Sequence, residues 1–330
     1  MAQNGRIVGI DVSKRKVDAC VRGPVAHLTV PCTPDGEAAL ITWLQEHQVE
    51  QAVLEASGGY ERPWAAALRR AGIVVRIVDP KRVRYFARSA GRLAKNDVID
   101  AEMIARFAET FADDPAPASA PDAAREEIDQ LMTARALLLK QMGQTRQMGE
   151  HQQPAVVRKA QAAIEKAIQA QLAKLDAEIE AKIAAQEALA ARKALIESVP
   201  GFGRIFAAGV IAWLPELGRI SNKAAAALVG VAPYDDDSGA RQGERHISGG
   251  RREIRDLLYM AVLGAATQHN PVIKAYYQRL RAKGKKTKVA LVACMRKLLV
   301  ILNVMLRRGE PWNPTTTGLL AAPSEPAPAP

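Results

Sequence analysis

An aspartate stands in the middle of the first apolar run of the chain, residues 7–13. The β-branched residues around Asp11 predict a buried strand, in which an ionised carboxylate is costly unless a cation or a shifted pKa compensates it. Any fold that keeps Asp11 there has to bring a partner to it. Three later acids are candidates for the same place: Glu55 at the end of another apolar run, and Asp97 with Asp100 on a predicted helix.

Apolar periodicity and turn residues predict alternating strands and helices in the first third of the chain. In chain order they are strands 6–12, 17–22 and 26–30, helix 35–47, strand 51–56, helix 60–71, strand 73–78 and helix 97–111. This order resembles the ribonuclease H-like α/β fold, whose active site takes acids from the middle of the first strand, the end of the fourth and the final helix. Asp11 and Glu55 stand in the first two places. Asp97 and Asp100 stand in the third, and their spacing puts both on one side of the helix.

Four converging carboxylates would repel one another unless cations lie between them. Magnesium takes oxygen ligands, and two such ions can clamp the attacking and leaving oxygens of a phosphodiester. The acids therefore predict a magnesium site, with manganese as the alternative ion. The simpler alternative gives each acid a separate role: Asp11 caps a strand, Glu55 lies on the surface, and the other two are a charge pair favoured by a helix dipole.

Positive charge is concentrated in two stretches of a chain whose formal net charge is +11. Sixteen Lys or Arg stand against four Asp or Glu between Arg241 and Glu310, so this segment carries the whole excess. A smaller cluster before Asp97 contains no acid. Both stretches predict a polyanionic partner such as nucleic acid. The candidate binding residues are Lys81, Arg82, Arg84, Arg88, Arg92, Lys95, Arg241, Arg245, Arg251, Arg252, Lys285, Lys286 and Lys288.

Other features exclude several classes of protein. Three widely separated cysteines and five scattered histidines predict reduced thiols and no zinc site. The N-terminus carries no signal-peptide pattern. The apolar stretch 289–306 is interrupted by Arg296 and Lys297, so it predicts an amphipathic or buried helix and no membrane association.

Beyond residue 111 the composition changes. Two long helical stretches, 123–150 and 154–198, predict an antiparallel hairpin or coiled coil. The turn at Gly201 and Gly203 resembles a helix-hairpin-helix element, whose backbone N–H groups bind phosphate; a plain helix–helix turn is the alternative. The predicted organisation is a catalytic domain 1–112, a linker 113–122, a helical spacer 123–197, a mainly helical C-terminal domain 198–312 and a disordered tail 313–330.

Three motifs give a more specific resemblance. They are Gly-Ile-Asp-Val-Ser-Lys at 9–14, Leu-Glu-Ala-Ser-Gly-Gly-Tyr at 54–60 and Lys-Asn-Asp-Val-Ile-Asp-Ala at 95–101. They are similar to the N-terminal domain of the DEDD-type insertion-sequence transposases, also described as bridge-RNA-guided recombinases, whose catalytic domain resembles RuvC-type junction resolvases. The resemblance implies that the four acids bind magnesium and that the protein acts on DNA in the bacterial cytosol, at the nucleoid.

The resemblance extends over nearly residues 5–310 and implies a second site. In this family a Ser-Gly loop supplies a serine that attacks the DNA phosphate, and the matching residue is Ser238. Two features depart from the family: three aspartates precede Ser238, and Gly249 follows Ser248 where a lysine is common. Ser248 is expected to cap the next helix. The resemblance further implies a phosphoserine intermediate, composite sites in a dimer of dimers, and a structured bridge RNA that pairs with donor and target DNA.

Three other functions are compatible with parts of the sequence. A hydrolytic ribonuclease H-like nuclease or Holliday-junction resolvase would need only the acids and would form no covalent adduct. A sugar-kinase or actin-like ATPase shares the Gly-Ile-Asp-x-Ser strand, but the sequence lacks the second Asp-x-Gly-Gly loop of those folds. An architectural nucleic-acid-binding protein would explain the charge and not the acids. The sequence therefore favours the recombinase, with the nuclease as the alternative.

Overall fold

A computed structural model describes residues 6–22, 25–91, 97–111, 123–149, 154–234 and 245–315, without the side chains of 97–99 and 123. The predicted linker 113–122, most of the predicted tail and the predicted nucleophile Ser238 therefore lie outside the described residues. The chain divides into two compact units, Met1–Ala118 and Ser119–Pro330.

The first unit is built on a mixed sheet of five described strands. Its strands are β1 (Arg6–Val12), β2 (Lys16–Val21), β3 (Ala26–Pro31), β4 (Val49–Glu55) and β5 (Val74–Val78). Their spatial order is β3-β2-β1-β4-β5. The first three strands pair antiparallel, whereas β4 runs parallel to both β1 and β5. The predicted strands are confirmed, each to within two residues at its ends.

Within the described residues of the first unit four helices accompany the sheet, and one of them was not predicted. They are α1 (Pro34–Glu46), α2 (Glu61–Arg70), α3 (Pro80–Ser89) and α4 (Asp97–Thr110). The sequence of the α3 region indicated only a basic stretch. The missed signal is local: Asp79 caps the helix by accepting a hydrogen bond from the Lys81 N–H at 2.8 Å, and Pro80 fills its first turn.

Side chains alternate across the sheet and so build two cores. Ile10 of β1 packs on the side covered by α1 and α2, whereas Ile7 packs with Ile104 of α4 on the other side. Gly9 lets α4 lie directly on β1, because a Cβ at this position would collide with the backbone of Ala101. This close approach positions the residues at the start of α4 over the sheet.

The second unit is mainly helical. Its elements are α5 (Ala123–Met148), α6 (Ala155–Ala184), α7 (Glu187–Glu197), α8 (Arg204–Trp213), α9 (Asn222–Val229), the short antiparallel strands β6 (Pro233–Tyr234) and β7 (His246–Ile247), α10 (Arg252–Gly264), a π-helical turn (Ala265–His269), α11 (Pro271–Ala282) and α12 (Thr287–Arg308). The predicted helical stretch 154–198 consists of two helices, because Gln186 adopts an extended backbone between α6 and α7. The break lets Ile183 and Ile196 reach the same core.

Helices α5 and α6 form an antiparallel pair held by ion pairs. Arg135 meets Asp176 at 2.6 Å near the middle of the pair, and Arg146 meets Glu165 at 3.4 Å nearer its tip. The two helices run in opposite directions, because the residue later in α5 (Arg146) pairs with the residue earlier in α6 (Glu165). The predicted hairpin is therefore present, while its supercoiling stays a prediction.

Helix α12 is a core helix of the second unit. Among the described residues it is the one helix that is long and apolar enough to cross a membrane. More than half of its most apolar 18-residue window is nevertheless buried inside the chain. Its Asn303 is fully buried: the amide nitrogen donates to the Ile220 carbonyl at 3.0 Å, and the amide oxygen accepts from the Gly218 N–H at 2.7 Å. Of the two predicted alternatives, an amphipathic or a buried helix, the structure thus favours the buried one.

Candidate functional site

Strands β1 and β4 place two of the predicted acids on one face of the sheet. The parallel ladder pairs Ile10 with Leu54, so Asp11 and Glu55 are the next residues along their strands. Ile10 and Leu54 point into the core beneath α1 and α2. Alternation therefore directs both carboxylates to the opposite face, which α4 covers. Both acids are partly exposed.

Helix α4 contributes the third acid to the same region. Asp100 directly precedes Ala101, the residue whose backbone lies against Gly9 of β1. Asp100 and Glu55 line one cavity of about 490 Å³. Asp97 is the first residue of α4, and its side chain lies outside the described residues.

The described atoms do not by themselves complete a metal site. No group of three or more His, Cys, Asp or Glu side chains that could hold a metal ion occurs in the part of the chain that the structure describes. That part does not include the Asp97 carboxylate. The donor chemistry nevertheless suits a hard divalent cation, since every candidate ligand is a carboxylate oxygen. The magnesium assignment stays a prediction.

Helix α3 brings positive charge to the cavity that Glu55 and Asp100 line. Lys81, Arg84 and Arg88 are spaced i, i+3 and i+7, so they share one face of the helix, and all three line the cavity. Acidic and basic walls thus meet in one cavity, an arrangement suited to a phosphate held beside a cation.

Arg82 differs from its neighbours on α3. Its guanidinium lies over the rings of Phe107 and Phe111, at 5.1 and 5.5 Å from their centroids. The contact attaches α3 to α4. The predicted basic cluster is therefore divided between a cavity-lining part and a packing part, and its last members, Arg92 and Lys95, lie outside the described residues.

A buried carboxylate that the sequence analysis did not single out holds the turn after Glu55. Glu61 is 6% exposed. It accepts hydrogen bonds from the Ser57 N–H at 2.9 Å, the Ser57 hydroxyl at 3.0 Å and the Gly59 N–H at 2.9 Å. Burial raises the pKa of Glu61, but these hydrogen bonds outweigh it and leave the pKa below its usual value. An acid at the start of a helix that reaches back to preceding N–H groups was the available signal.

Arg251, predicted to bind nucleic acid, is engaged within the second unit. It makes a two-pronged ion pair with Glu216 at 2.7 and 2.8 Å and donates to the Trp213 carbonyl at 2.7 Å. Burial raises the pKa of Glu216, but the Arg251 guanidinium lowers it by a larger amount, so the net shift of this pKa is downward. Little of this guanidinium is left for a phosphate.

The other predicted basic residues of the second unit that the structure describes are on its surface. Arg245 and Arg252 are exposed, and so is the whole stretch 281–289, which holds Lys285, Lys286 and Lys288. Ser238 and Arg241 fall in 235–244, outside the described residues.

The turn at Gly201 is explained by packing within the chain. Gly201 has φ +99°, and a Cβ there would lie 2.7 Å from the Cβ of Ala265. Gly203, which precedes α8, has open space around it. Only Gly203 thus keeps the free approach that a phosphate would need, and the helix-hairpin-helix assignment stays a prediction.

The prediction that Ser248 caps the following helix is wrong. Helix α10 begins at Arg252, and its N-cap residue Arg251 makes no side-chain cap bond. Gly249 and Gly250 both have positive φ and turn the chain before the helix starts. Gly250 packs so closely that a Cβ would collide with the Gly230 backbone, which fixes this turn.

Two family models match successive parts of the chain. A DEDD, IS110-type model described as "Transposase" matches residues 8–151, and one described as "Transposase IS116/IS110/IS902 family" matches residues 193–278. Pilin gene-inverting proteins of Moraxella bovis and Moraxella lacunata are 27% and 26% identical, over 93% of this chain and 97% of each relative.

Two further similarities are partial. An uncharacterized 42 kDa protein of insertion element IS900 from Mycobacterium paratuberculosis is 33% identical, over 37% of this chain and 31% of that protein. A solved structure, T. thermophilus RuvC in complex with Holliday junction substrate, covers 33% of this chain and 96% of its own, with 17% identity and a TM-score of 0.28. The two family models match in succession along the chain and name one family. The chain belongs to the IS110 family of transposases.

Proposed function

We propose that this transposase cuts, exchanges and rejoins DNA strands with a two-part active site on a ribonuclease H-like first domain and a C-terminal domain. Asp11, Glu55, Asp97 and Asp100 hold magnesium, which manganese can replace, and Ser238 is the nucleophile. The observation that carries the proposal is the cavity in which Glu55 and Asp100 face the basic residues of α3.

The cavity suits a phosphodiester because its walls carry both signs of charge. Arg84 and Arg88 can donate hydrogen bonds to the non-bridging phosphate oxygens, for which guanidinium geometry is well adapted. A bound magnesium ion supplies the positive charge that offsets the repulsion between the carboxylates and the phosphate. Glu61 keeps the turn after Glu55 fixed, so that this carboxylate stays at the cavity wall.

The serine step conserves the number of phosphoester bonds. The Ser238 hydroxyl gives up its proton, and its oxygen forms a bond to the scissile phosphorus. The bond from phosphorus to the 3′-oxygen breaks, and that oxygen leaves with a proton. A second 3′-hydroxyl can reverse the step and reseal the strand. This assignment depends on the resemblance of the Ser238 loop to the family motif.

The relatives favour rejoining over hydrolysis. Proteins named as pilin gene-inverting match this chain over nearly their whole length. Inverting a gene requires that cut ends be joined again, which a covalent intermediate allows. About 140 residues separate Asp97 from Ser238, and we propose that the two come from different subunits of a dimer of dimers.

The remaining partners are donor DNA, target DNA and a structured bridge RNA in the bacterial cytosol. The exposed basic stretch 281–289 supports binding of a nucleic-acid backbone, by DNA or RNA alike. The hydrolytic nuclease or junction resolvase is the second candidate. The observation that favours it is that the described acids and their basic neighbours all lie in the first unit, and hydrolysis needs no serine.

The test is metal-dependent strand cleavage by the full-length protein, with RNA transcribed from its flanking DNA and a matching duplex. The proposal predicts cleavage with magnesium or manganese, none with a chelator, and loss of cleavage in Glu55→Gln and in Ser238→Ala. Cleavage that survives Ser238→Ala would instead support the hydrolytic nuclease.

A further inference from the structure

Helix α3 presents an aromatic ring, as well as cations, to the cavity. Tyr85 lies in the cavity wall and is 65% exposed. The spacing i, i+3, i+4 and i+7 makes one continuous helix face of Lys81, Arg84, Tyr85 and Arg88. An aromatic ring among cations is the combination with which proteins bind single-stranded nucleic acids.

Packing on the other side of α3 fixes the direction of this face. Val83 is buried in the core beneath α4, and Phe86 meets Phe107 edge-on with 5.7 Å between ring centroids. Arg82 lies over the Phe107 ring. Because α3 cannot rotate without losing these contacts, Tyr85 stays in the cavity wall.

We propose that this face of α3 binds the DNA strand that is cut, with Arg84 and Arg88 on its phosphates and Tyr85 stacked on an unpaired base beside the cleavage point. Lys81 to Arg88 extends about 10 Å along the helix, the length of about three stacked nucleotides. Glu55 and Asp100 in the same cavity put the scissile phosphate next to that base. The inference rests on the proposed function only in taking this cavity as the place of DNA cleavage.

The stacking requires an unpaired base. In an intact duplex the flat face of each base is covered by its neighbours, so the Tyr85 ring can reach one only where the strand is opened. The full-length protein should therefore bind a forked duplex more tightly than a blunt duplex of the same length, and Tyr85 should be responsible for the difference.

The experiment uses the full-length protein with calcium in place of magnesium, so that DNA can bind without being cut. The probes are forked DNA duplexes, each carrying one 2-aminopurine at a different unpaired position. We expect quenched fluorescence at one or two adjacent positions. Tyr85→Phe, which keeps the ring, should retain the quench. Tyr85→Leu should lose it and bind the fork about 5- to 150-fold more weakly, with unchanged affinity for the blunt duplex.

The matched control is Arg82→Gln on the same helix, which should keep the quench, because the Arg82 guanidinium lies over the Phe107 and Phe111 rings and does not line the cavity. A quench that survives Tyr85→Leu in folded protein overturns the inference, and so does one seen only with an RNA fork of the same sequence. The experiment also distinguishes this inference from the proposed role of Ser238. A protein that quenches the probe but forms no covalent adduct with DNA would disprove the role of Ser238 and leave that of Tyr85 intact.

Discussion

The positive charge of the first unit and that of the second unit have different structural settings. In the first unit Lys81, Arg84 and Arg88 line a cavity with the carboxylates of Glu55 and Asp100. In the second unit Arg251 is paired with Glu216 inside the chain, whereas Arg245, Arg252 and the basic residues of 281–289 are exposed. The first setting provides opposite charges at one point, which chemistry on a phosphate needs. The second provides a surface that attracts any polyanion. Similar composition thus supports two separate tasks.

The largest expected effect tests whether DNA cleavage takes place in the cavity of the first unit. Asp100→Asn preserves the shape of the side chain and removes its charge, so we expect cleavage to fall by roughly 10²–10³-fold or more, by analogy with the loss of a charge-stabilising group. The measurement is the rate of strand cleavage with saturating magnesium. Glu102→Gln, on the same helix, is the control and should remain active. Equal activity of Asp100→Asn and the unaltered protein would remove the cavity from the mechanism.

The second prediction tests whether Arg251 is structural. Arg251→Ala leaves the Glu216 carboxylate without its partner, and we expect a loss of about 2 kcal/mol, less than for a fully buried pair because 37% of the Arg251 side chain is exposed. Urea unfolding at pH 7 measures it. Arg252→Ala is the control: its ion pair with Asp256 is largely exposed, so little change is expected.

The same ion pair predicts that the stability of the fold depends on pH in the acidic range. The pKa of Glu216 in the folded protein lies below the usual glutamate value of 4.5. A lowered folded pKa means that ionised Glu216 stabilises the fold above that value, and that this stabilisation is lost as the pH falls through the folded pKa. Arg251→Ala should therefore weaken the dependence of stability on pH below about 4.5. An unchanged acid dependence would show that other carboxylates dominate it.

A smaller effect is expected on the exposed basic surface of the second unit. Replacing Lys285, Lys286 and Lys288 by Gln should weaken binding of all nucleic-acid sequences about equally. The slope of log affinity against log salt should decrease by about one for each lost phosphate contact. Fluorescence anisotropy between 50 and 200 mM salt, as roughly the informative range, measures it. Sequence-selective loss would contradict a purely electrostatic surface.

The smallest effect distinguishes the basic residue of α3 that packs on aromatic rings from those that line the cavity. Arg82→Gln should lower the free energy of unfolding by about 1 kcal/mol, because its contact with the Phe107 and Phe111 rings is lost. Arg84→Gln should leave stability nearly unchanged and weaken DNA binding instead. Thermal unfolding and DNA titration of both variants measure the contrast. If the two substitutions behaved alike, the division of the basic cluster would be wrong.

The strands were predictable because their signals are local. Alternating apolar residues and short turns define β1 to β3, and the order of elements follows along the chain. Helix α3 was not predicted although Asp79 and Pro80 mark its start, because its buried residues, Val83 and Ala87, are too few among the basic residues to give a clear apolar period. The break at Gln186 was missed for a different reason: its neighbours all favour helix, and the packing of Ile196 in a distant core overrides them.

The candidate site was predictable in part. The positions of Asp11 and Glu55 follow from strand register, which the element order already implied. The roles of Glu61 and Arg251 could not be foreseen in the same way. The hydrogen bonds of Glu61 depend on the exact path of the turn after Glu55. The ion pair of Arg251 depends on the position of Glu216, which is 35 residues away in sequence. Pairing at that separation is decided by the tertiary fold.

The most direct test of the two-part active site is covalent trapping. Full-length protein is incubated with magnesium, the flanking-region RNA and a matching DNA duplex, and the products are analysed by denaturing gel and peptide mass spectrometry. The account predicts a DNA-linked peptide containing Ser238, absent in Ser238→Ala and in Asp11→Ala. Metal-dependent cutting without an adduct, unchanged in Ser238→Ala, would contradict the account and identify a hydrolytic nuclease.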